Sequence, residues 1–228
     1  MSFNWTQLIP GVGHEYAHVA TLGIATAASV GLGMVARAQL GQGQVAVTPT
    51  SRFSIRGVFE LITEFIYKLA NQVIGHEGKH YVPYFSSVFF FILLNNYIGV
   101  LPGMTPATEN INTTLAFGVF SFLAYNFIGI KKGGTHYLAH FLGPVLWLAP
   151  LMLVIELISH VIRPLTLGLR LANVMTGDHT VLSVFLDLVP IGVPIPFYLI
   201  GFLVCMIQAF VFTLLSMVYV ALAQASDH

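Results

Sequence analysis

Arg170, Glu156, Asp178 and His179 share one apolar run, residues 144–186, and Gln208 is the one strongly polar residue inside a second, residues 197–224. An arginine at membrane depth costs at least about 2.5–3.5 kcal/mol to insert, so it demands a partner or a function. Its guanidinium holds its charge under nearly all conditions: it can attract a carboxylate but cannot hand on a proton. Arg170 therefore reads as an electrostatic gate. Glu156 lies fourteen residues before it, and Asp178 and His179 lie eight and nine after it. Such groups exchange protons when burial and neighbours bring them near neutrality, and a series of them across a bilayer is how a proton path is built. Each also has a plainer reading, pairing with a neighbour or facing a headgroup. Gln208 can be a helix–helix hydrogen bond, worth only about 0.6–2 kcal/mol in membranes. Arg163 and Arg170 can snorkel into headgroups from a straight helix, but that leaves residues 180–186 too short to cross. The clustering of the groups in one hairpin carries the argument.

The elements that must hold these groups are membrane helices. Of 228 residues, 56% are hydrophobic and 8% charged, against about 25% charged in soluble domains. Nine basic and nine acidic side chains cancel, so nothing favours a nucleic-acid-binding surface. The lone cysteine, Cys205, excludes a disulfide within the chain. Residues 1–12 lack Lys and Arg and contain Pro10, so no secretory signal is expected. No repeat or composition break divides the sequence, and residues 1–228 read as a single membrane domain.

The fold class is all-α integral membrane, with about five embedded helices and one interfacial helix. Spans are expected at residues 19–36, 85–101 and 113–130, the last stopping at Lys131-Lys132-Gly133-Gly134. In the first, Gly23, Ala27 and Gly31 recur every fourth position and would let a neighbouring helix come close. Residues 53–74 alternate Phe59, Ile62, Phe65 and Leu69 with Glu60, Glu64 and Lys68 at helical spacing, the pattern of a surface-lying amphipathic helix. Residues 144–186 would make a helix of about 65 Å at 1.5 Å per residue, twice the hydrocarbon thickness. It must tilt, kink at Pro164 or break. A turn over residues 187–196, with three prolines, leads to a last long helix at residues 197–224, and the two form a hairpin.

Basic residues cluster between spans one and two and at Lys131 and Lys132, while the loop at residues 102–112 has none. The positive-inside rule then places the N-terminus outside and the C-terminus in the cytoplasm. The pairs His14/His18, His76/His80 and His136/His140 are spaced for metal or haem ligation, but all lie outside the clear spans, so interfacial histidine is the expectation and neither metal nor cofactor is expected. No phosphate-binding glycine loop and no nucleophile–base set is present, so no catalytic residue is assigned.

The stretch from Glu156 through His160, Arg163 and Pro164 to Arg170-Leu171 resembles the signature of subunit a of the bacterial F-type ATP synthase. Residues 208–219, beginning at Gln208 and ending at Tyr219, are similar to that family's last helix, and Asn110-Ile111-Asn112-Thr113-Thr114 to its loop before the fourth helix. The resemblance covers residues 56–228. It implies a proton-translocating stator subunit in the bacterial inner membrane, not itself an enzyme, with two half-channels. Arg170 would be the essential arginine facing the ring of c subunits, Glu156 a half-channel glutamate, and Gln208 the glutamine opposite the arginine. Implied partners are that ring, the b subunits of the peripheral stalk, and lipid. After the arginine this chain reads Leu171-Ala172-Asn173-Val174-Met175, its asparagine one residue earlier than usual. Without a gap His179 takes the relay position, which is the preferred alignment; with a one-residue deletion Asn173 and Asp178 align instead. Gly201 stands where some relatives carry a histidine or glutamate, so the outer half-channel would depend on Asp178, His179 and water. The rival classes are a proton-coupled secondary transporter, which calls for an internal repeat, a haem-binding electron carrier, and a purely structural subunit.

Overall fold

The computed structural model describes residues 17–39, 54–101, 103–140, 149–188 and 194–224, with side chains for all of these but 133–140, 149–150, 187 and 194. Its elements are helices α1 (Ala17–Ala38), α2 (Ile55–Val73), α3 (Val82–Val100), α4 (Ile111–His140), α5 (Ala149–Leu188) and α6 (Pro194–Gln224), with 3₁₀ turns at His76–Tyr81 and Ala107–Glu109. Among the described residues five helical segments are long and apolar enough to cross a membrane, and α2 is not one of them. The all-α membrane expectation holds.

Many polar residues survive inside these spans because their side chains bond to their own helix. Thr21, Thr26 and Ser29 donate to the carbonyls of Ala17, Leu22 and Ala25 at 2.7–3.0 Å, which satisfies a hydroxyl that lipid cannot. The same device lets Thr21 be buried, and α1 packs through Ala17, Thr21 and Ala25. The Gly23–Ala27–Gly31 stripe is not the face used: a Cβ at Gly23 or Gly31 would meet nothing within 4 Å. Both faces are small at four-residue spacing, and sequence alone does not choose between them.

Helix α2 is amphipathic, as its spacing predicts. Ser54 caps it, its Oγ accepting from the Gly57 amide at 3.1 Å. Ile66 and Ala70 are buried, with Ile62, Leu69 and Val73 packed beside them, while Glu64 and Lys68 pair at 2.6 Å on the exposed side. Gly78 then lies so close to the Ala70 carbonyl that a Cβ would sit 2.5 Å from its oxygen, which seats the 3₁₀ turn against α2.

Several expected boundaries move, among them the start of α3, which lies at Val82, three residues before the expected 85. Helix α4 does not stop at Lys131-Lys132-Gly133-Gly134 but continues to His140. Two glycines cost about 1 kcal/mol each relative to alanine, a weak preference that context overrides, and Lys132 is paired with Glu77 across the structure. Helix α6 begins at Pro194, three residues before the expected start; proline is tolerated in a first turn, where its missing N–H has no helical partner. Helix α5 runs unbroken through Pro164 for 40 residues, about 60 Å of helix. The expected start at residues 144–148 and the middle of the turn at residues 189–193 lie outside the described residues.

The core lies between α3, α4, α5 and α6. Phe85, Phe89 and Ile92 of α3, Tyr125 of α4, Leu171 and Met175 of α5, and Phe212 and Met217 of α6 are all buried in one cluster. Helices α4 and α5 cross with their backbones in contact: a Cβ on Gly118 would lie 2.3 Å from the Pro164 carbonyl oxygen, and one on Gly168 2.7 Å from that of Thr114.

Candidate functional site

Helix α5 carries most of the site, and it is poorly covered. Leu153, Val154, Leu157, Val161, Leu165 and Leu169 are exposed along it, and Arg170 and Asn173 lie in that uncovered surface. The close crossing at Gly168 fixes the backbone two residues before Arg170. Arg170 has no ion-pair or hydrogen-bond partner among the described residues. No hydrogen bond joins it to Gln208, which is turned into the core at 5% exposure with its Nε2 buried and unpaired.

Towards the start of α5, Glu156 is paired with Arg163 rather than Arg170, at 3.7 Å. The Arg163 guanidinium stands 5.6 Å from the ring centre of Tyr219 on α6, within reach of a cation–π attraction. One turn along, buried His160 meets Asn126 of α4, with Nε2 2.9 Å from Oδ1. Its ring lies between Phe122 and Tyr125, at centroid distances of 4.9 and 5.5 Å. The sequence offers Arg163 only as a snorkelling arginine and His160 only as part of the family-like stretch, and neither points to these contacts.

Towards the end of α5 a second polar group forms. His179 points its Nδ1 at the Glu109 carboxylate, 3.5 Å away, and Thr176 donates to the Glu109 carbonyl at 3.4 Å. Asp178 fills the space that Gly201 leaves open, since a Cβ at Gly201 would lie 2.8 Å from its Oδ2. Behind them Thr108 donates to Asn96 Oδ1 at 2.8 Å, and the Asn96 amide reaches the Cys205 carbonyl at 3.5 Å. Glu109 was not anticipated; the available signal was an acid in a loop without basic residues, and nothing in the sequence joined it to His179.

The six expected site residues thus fall into four places. Arg170 and Asn173 share the uncovered face, Glu156 sits with Arg163 on one side along α5, Asp178 and His179 sit with Glu109 and Gly201 on the other, and Gln208 faces the interior. The His76/His80 pair is exposed on its turn, and His14 lies outside the described residues. Among the described residues no three metal-ligating side chains converge. A cavity of about 740 Å³ lies elsewhere, between α1, α2, α3 and α4, lined by residues such as Val30, Phe59, Phe90 and Phe120.

Fold and site together define an all-helical, multi-pass membrane protein with ionisable side chains within its spans. The family described as ATP synthase A chain matches residues 19–221. ATP synthase subunit a of Bdellovibrio bacteriovorus is 71% identical over 229 residues, all of both chains. That of Geobacter sulfurreducens is 46% identical over 73% of this chain and 72% of its own, and ATP synthase subunit a 2 of Syntrophotalea carbinolica 39% over 93% and 88%. The chain belongs to the F-type ATP synthase subunit a family, the non-catalytic membrane-sector subunit of that complex.

Proposed function

We propose that this subunit is the stator of a proton-driven rotor, with two half-channels separated by Arg170 and with the uncovered face of α5 set against a ring of c subunits. The observation that carries this is the position of Arg170: a permanent cation, exposed and without a partner among the described residues, in a largely apolar surface. Such a group is expensive in lipid and makes sense against an acidic partner supplied by another protein. The two polar groups lie to either side of it, Glu156 about 21 Å away along the helix and His179 about 13 Å at 1.5 Å per residue. All 228 residues form one membrane domain in this reading, α2 lies on the cytoplasmic surface, and the long hairpin of α5 and α6 tilts to fit the bilayer.

Protons enter from outside near Asp178 and His179 and neutralise a ring carboxylate. The neutral acid travels through lipid at low cost, returns near Glu156, releases its proton to the cytoplasm and meets Arg170 as an anion. Arg170 blocks a direct leak between the half-channels and strips the ring acid of its proton before it passes. Asn173, on the same face, offers a polar contact next to the arginine. Gln208 is a helix-packing polar group whose free amide can turn towards the ring when the complex forms. Each proton crossing 100 mV releases about 2.3 kcal/mol, so several drive one synthesis step. The loop charges place the N-terminus outside and the C-terminus in the cytoplasm, with b subunits of the peripheral stalk holding the assembly still.

The test is Arg170→Ala in the whole complex, in inverted membrane vesicles. Proton-driven ATP synthesis is lost while the subunit still co-purifies with the complex; retained synthesis would overturn the reading.

A further inference from the structure

The Ala107–Glu109 turn is built more firmly than a connecting loop requires. Asn96, Thr108 and the Cys205 carbonyl form a buried chain of hydrogen bonds across α3, the turn and α6. Pro106 is pressed onto Gly99, where a Cβ would come within 2.5 Å of the proline ring. The turn closes through the Glu109 amide donating to the Pro106 carbonyl at 3.1 Å, and Thr176 of α5 holds the Glu109 carbonyl. These contacts fix the backbone of an acid whose Oε2 is shielded from solvent yet accepts no hydrogen bond. That atom faces His179 Nδ1 at 3.5 Å, with the two side chains 33% and 17% exposed. The turn packs against α1, α3, α4 and α5; the titratable groups on those helices include Asp178 and His179 on α5, Tyr97 on α3 and His18 on α1, while Asn110 caps the turn and α4 opens with Ile111, Asn112 and Thr113.

From this we infer that Glu109 is a positioning residue for the proton relay at His179. A carboxylate facing Nδ1 keeps the proton on that nitrogen and leaves the Nε2 lone pair to take up and release the transported proton. The step is a proton transfer alone: water on the outer side gives a proton to Nε2, Nδ1 keeps its own, and Nε2 passes the proton inward. Gly201 fits the same arrangement. It leaves the space beside Asp178 free of a side chain, so the partner for the imidazole comes from the α3–α4 loop instead of from α6. The inference rests on reading His179 as the outer relay.

The experiment uses the intact complex reconstituted in proteoliposomes, with ATP synthesis followed as the pH of the proton-supplying side is varied at fixed driving force. Glu109→Gln should lower the rate several-fold and change its dependence on the pH of that side. Glu109→Asp should restore the profile. In a His179→Gln background, adding Glu109→Gln should cause no further shift, whereas a merely structural glutamate would still act. A Glu109→Gln profile superimposable on the wild type overturns the inference, whether or not the rate falls, and so does an additive effect in the double variant. Retained synthesis in Arg170→Ala instead sinks the half-channel reading, so the two fail separately.

Discussion

Gly168→Ala tests whether the α4–α5 crossing sets the position of Arg170. The added Cβ would lie 2.7 Å from the Thr114 carbonyl oxygen and 3.0 Å from the Leu115 Cα, both backbone atoms that cannot swing aside. To reach 3.4 Å, the near edge of ordinary contact, the helices must part by about 0.7 Å, and overpacking of this kind costs about 1–3 kcal/mol. Arg170 is two residues further on, about 3 Å along the axis, so most of the displacement is passed to it. Misplacing a functional group by roughly 1 Å can cost about 10²-fold in rate. The assay is ATP synthesis in inverted vesicles, paired with a thermal-stability measurement of the purified complex. The expected result is an assembled complex with a lower melting temperature and synthesis reduced tenfold or more, on the order of 1.4 kcal/mol in the barrier. Gly118→Ala, with a 2.3 Å clash against the Pro164 oxygen, should be worse, and the double variant less than additive because both open one crossing. Wild-type synthesis in Gly168→Ala at wild-type stability would refute the reasoning.

Gly201→Ala places a Cβ 2.8 Å from Asp178 Oδ2, the end of a side chain that can rotate away; the complex should keep its melting temperature while the outer-side pH dependence of synthesis changes, and an unchanged profile would show that Asp178 has no part in uptake. Asn96→Leu leaves the Thr108 hydroxyl without its 2.8 Å acceptor and should cost about 1–3 kcal/mol, seen as a lower melting temperature. It should also shift the pH profile in the same direction as Glu109→Gln, because it loosens the turn that aims the carboxylate.

Sequence periodicity marks the helices because lipid imposes a demand that leaves a long-range signature: every backbone group must be satisfied within a helix. The amphipathic α2 and the chemistry-bearing run around Arg170 were legible for the same reason, since a charge in an apolar stretch stands out. What was not legible depended on which neighbour a residue meets. Helix α4 passes through two glycines because their propensity cost is small, and α1 packs through Thr21 rather than Gly23 because a back-bonded threonine is as good as a small residue. Glu156 was read as a proton-exchanging group or one paired with a neighbour; that the neighbour is Arg163, seven residues further along the same helix, was not legible. Glu109 was invisible because its meaning lies in a contact with a residue two helices later.

The distribution of polarity between inside and outside bears on why a second protein is needed at all. The described core hides polar groups that find partners inside the chain: Asn96, Thr108 and Thr213 are hydrogen-bonded, His160 meets Asn126, and the buried cation Arg56 is paired with Glu60. Arg170 goes the other way, onto the uncovered surface of α5 among exposed leucines. A self-contained transporter would have the opposite pattern, with its charges turned towards a cavity between helices. An arginine facing outward can pair only with an anion brought to it, and one that remained there would simply neutralise it. The arrangement therefore suits the proposed succession of acids that arrive, are held briefly and leave protonated; in that proposal His179 and Glu156, on opposite sides of Arg170, load and unload them.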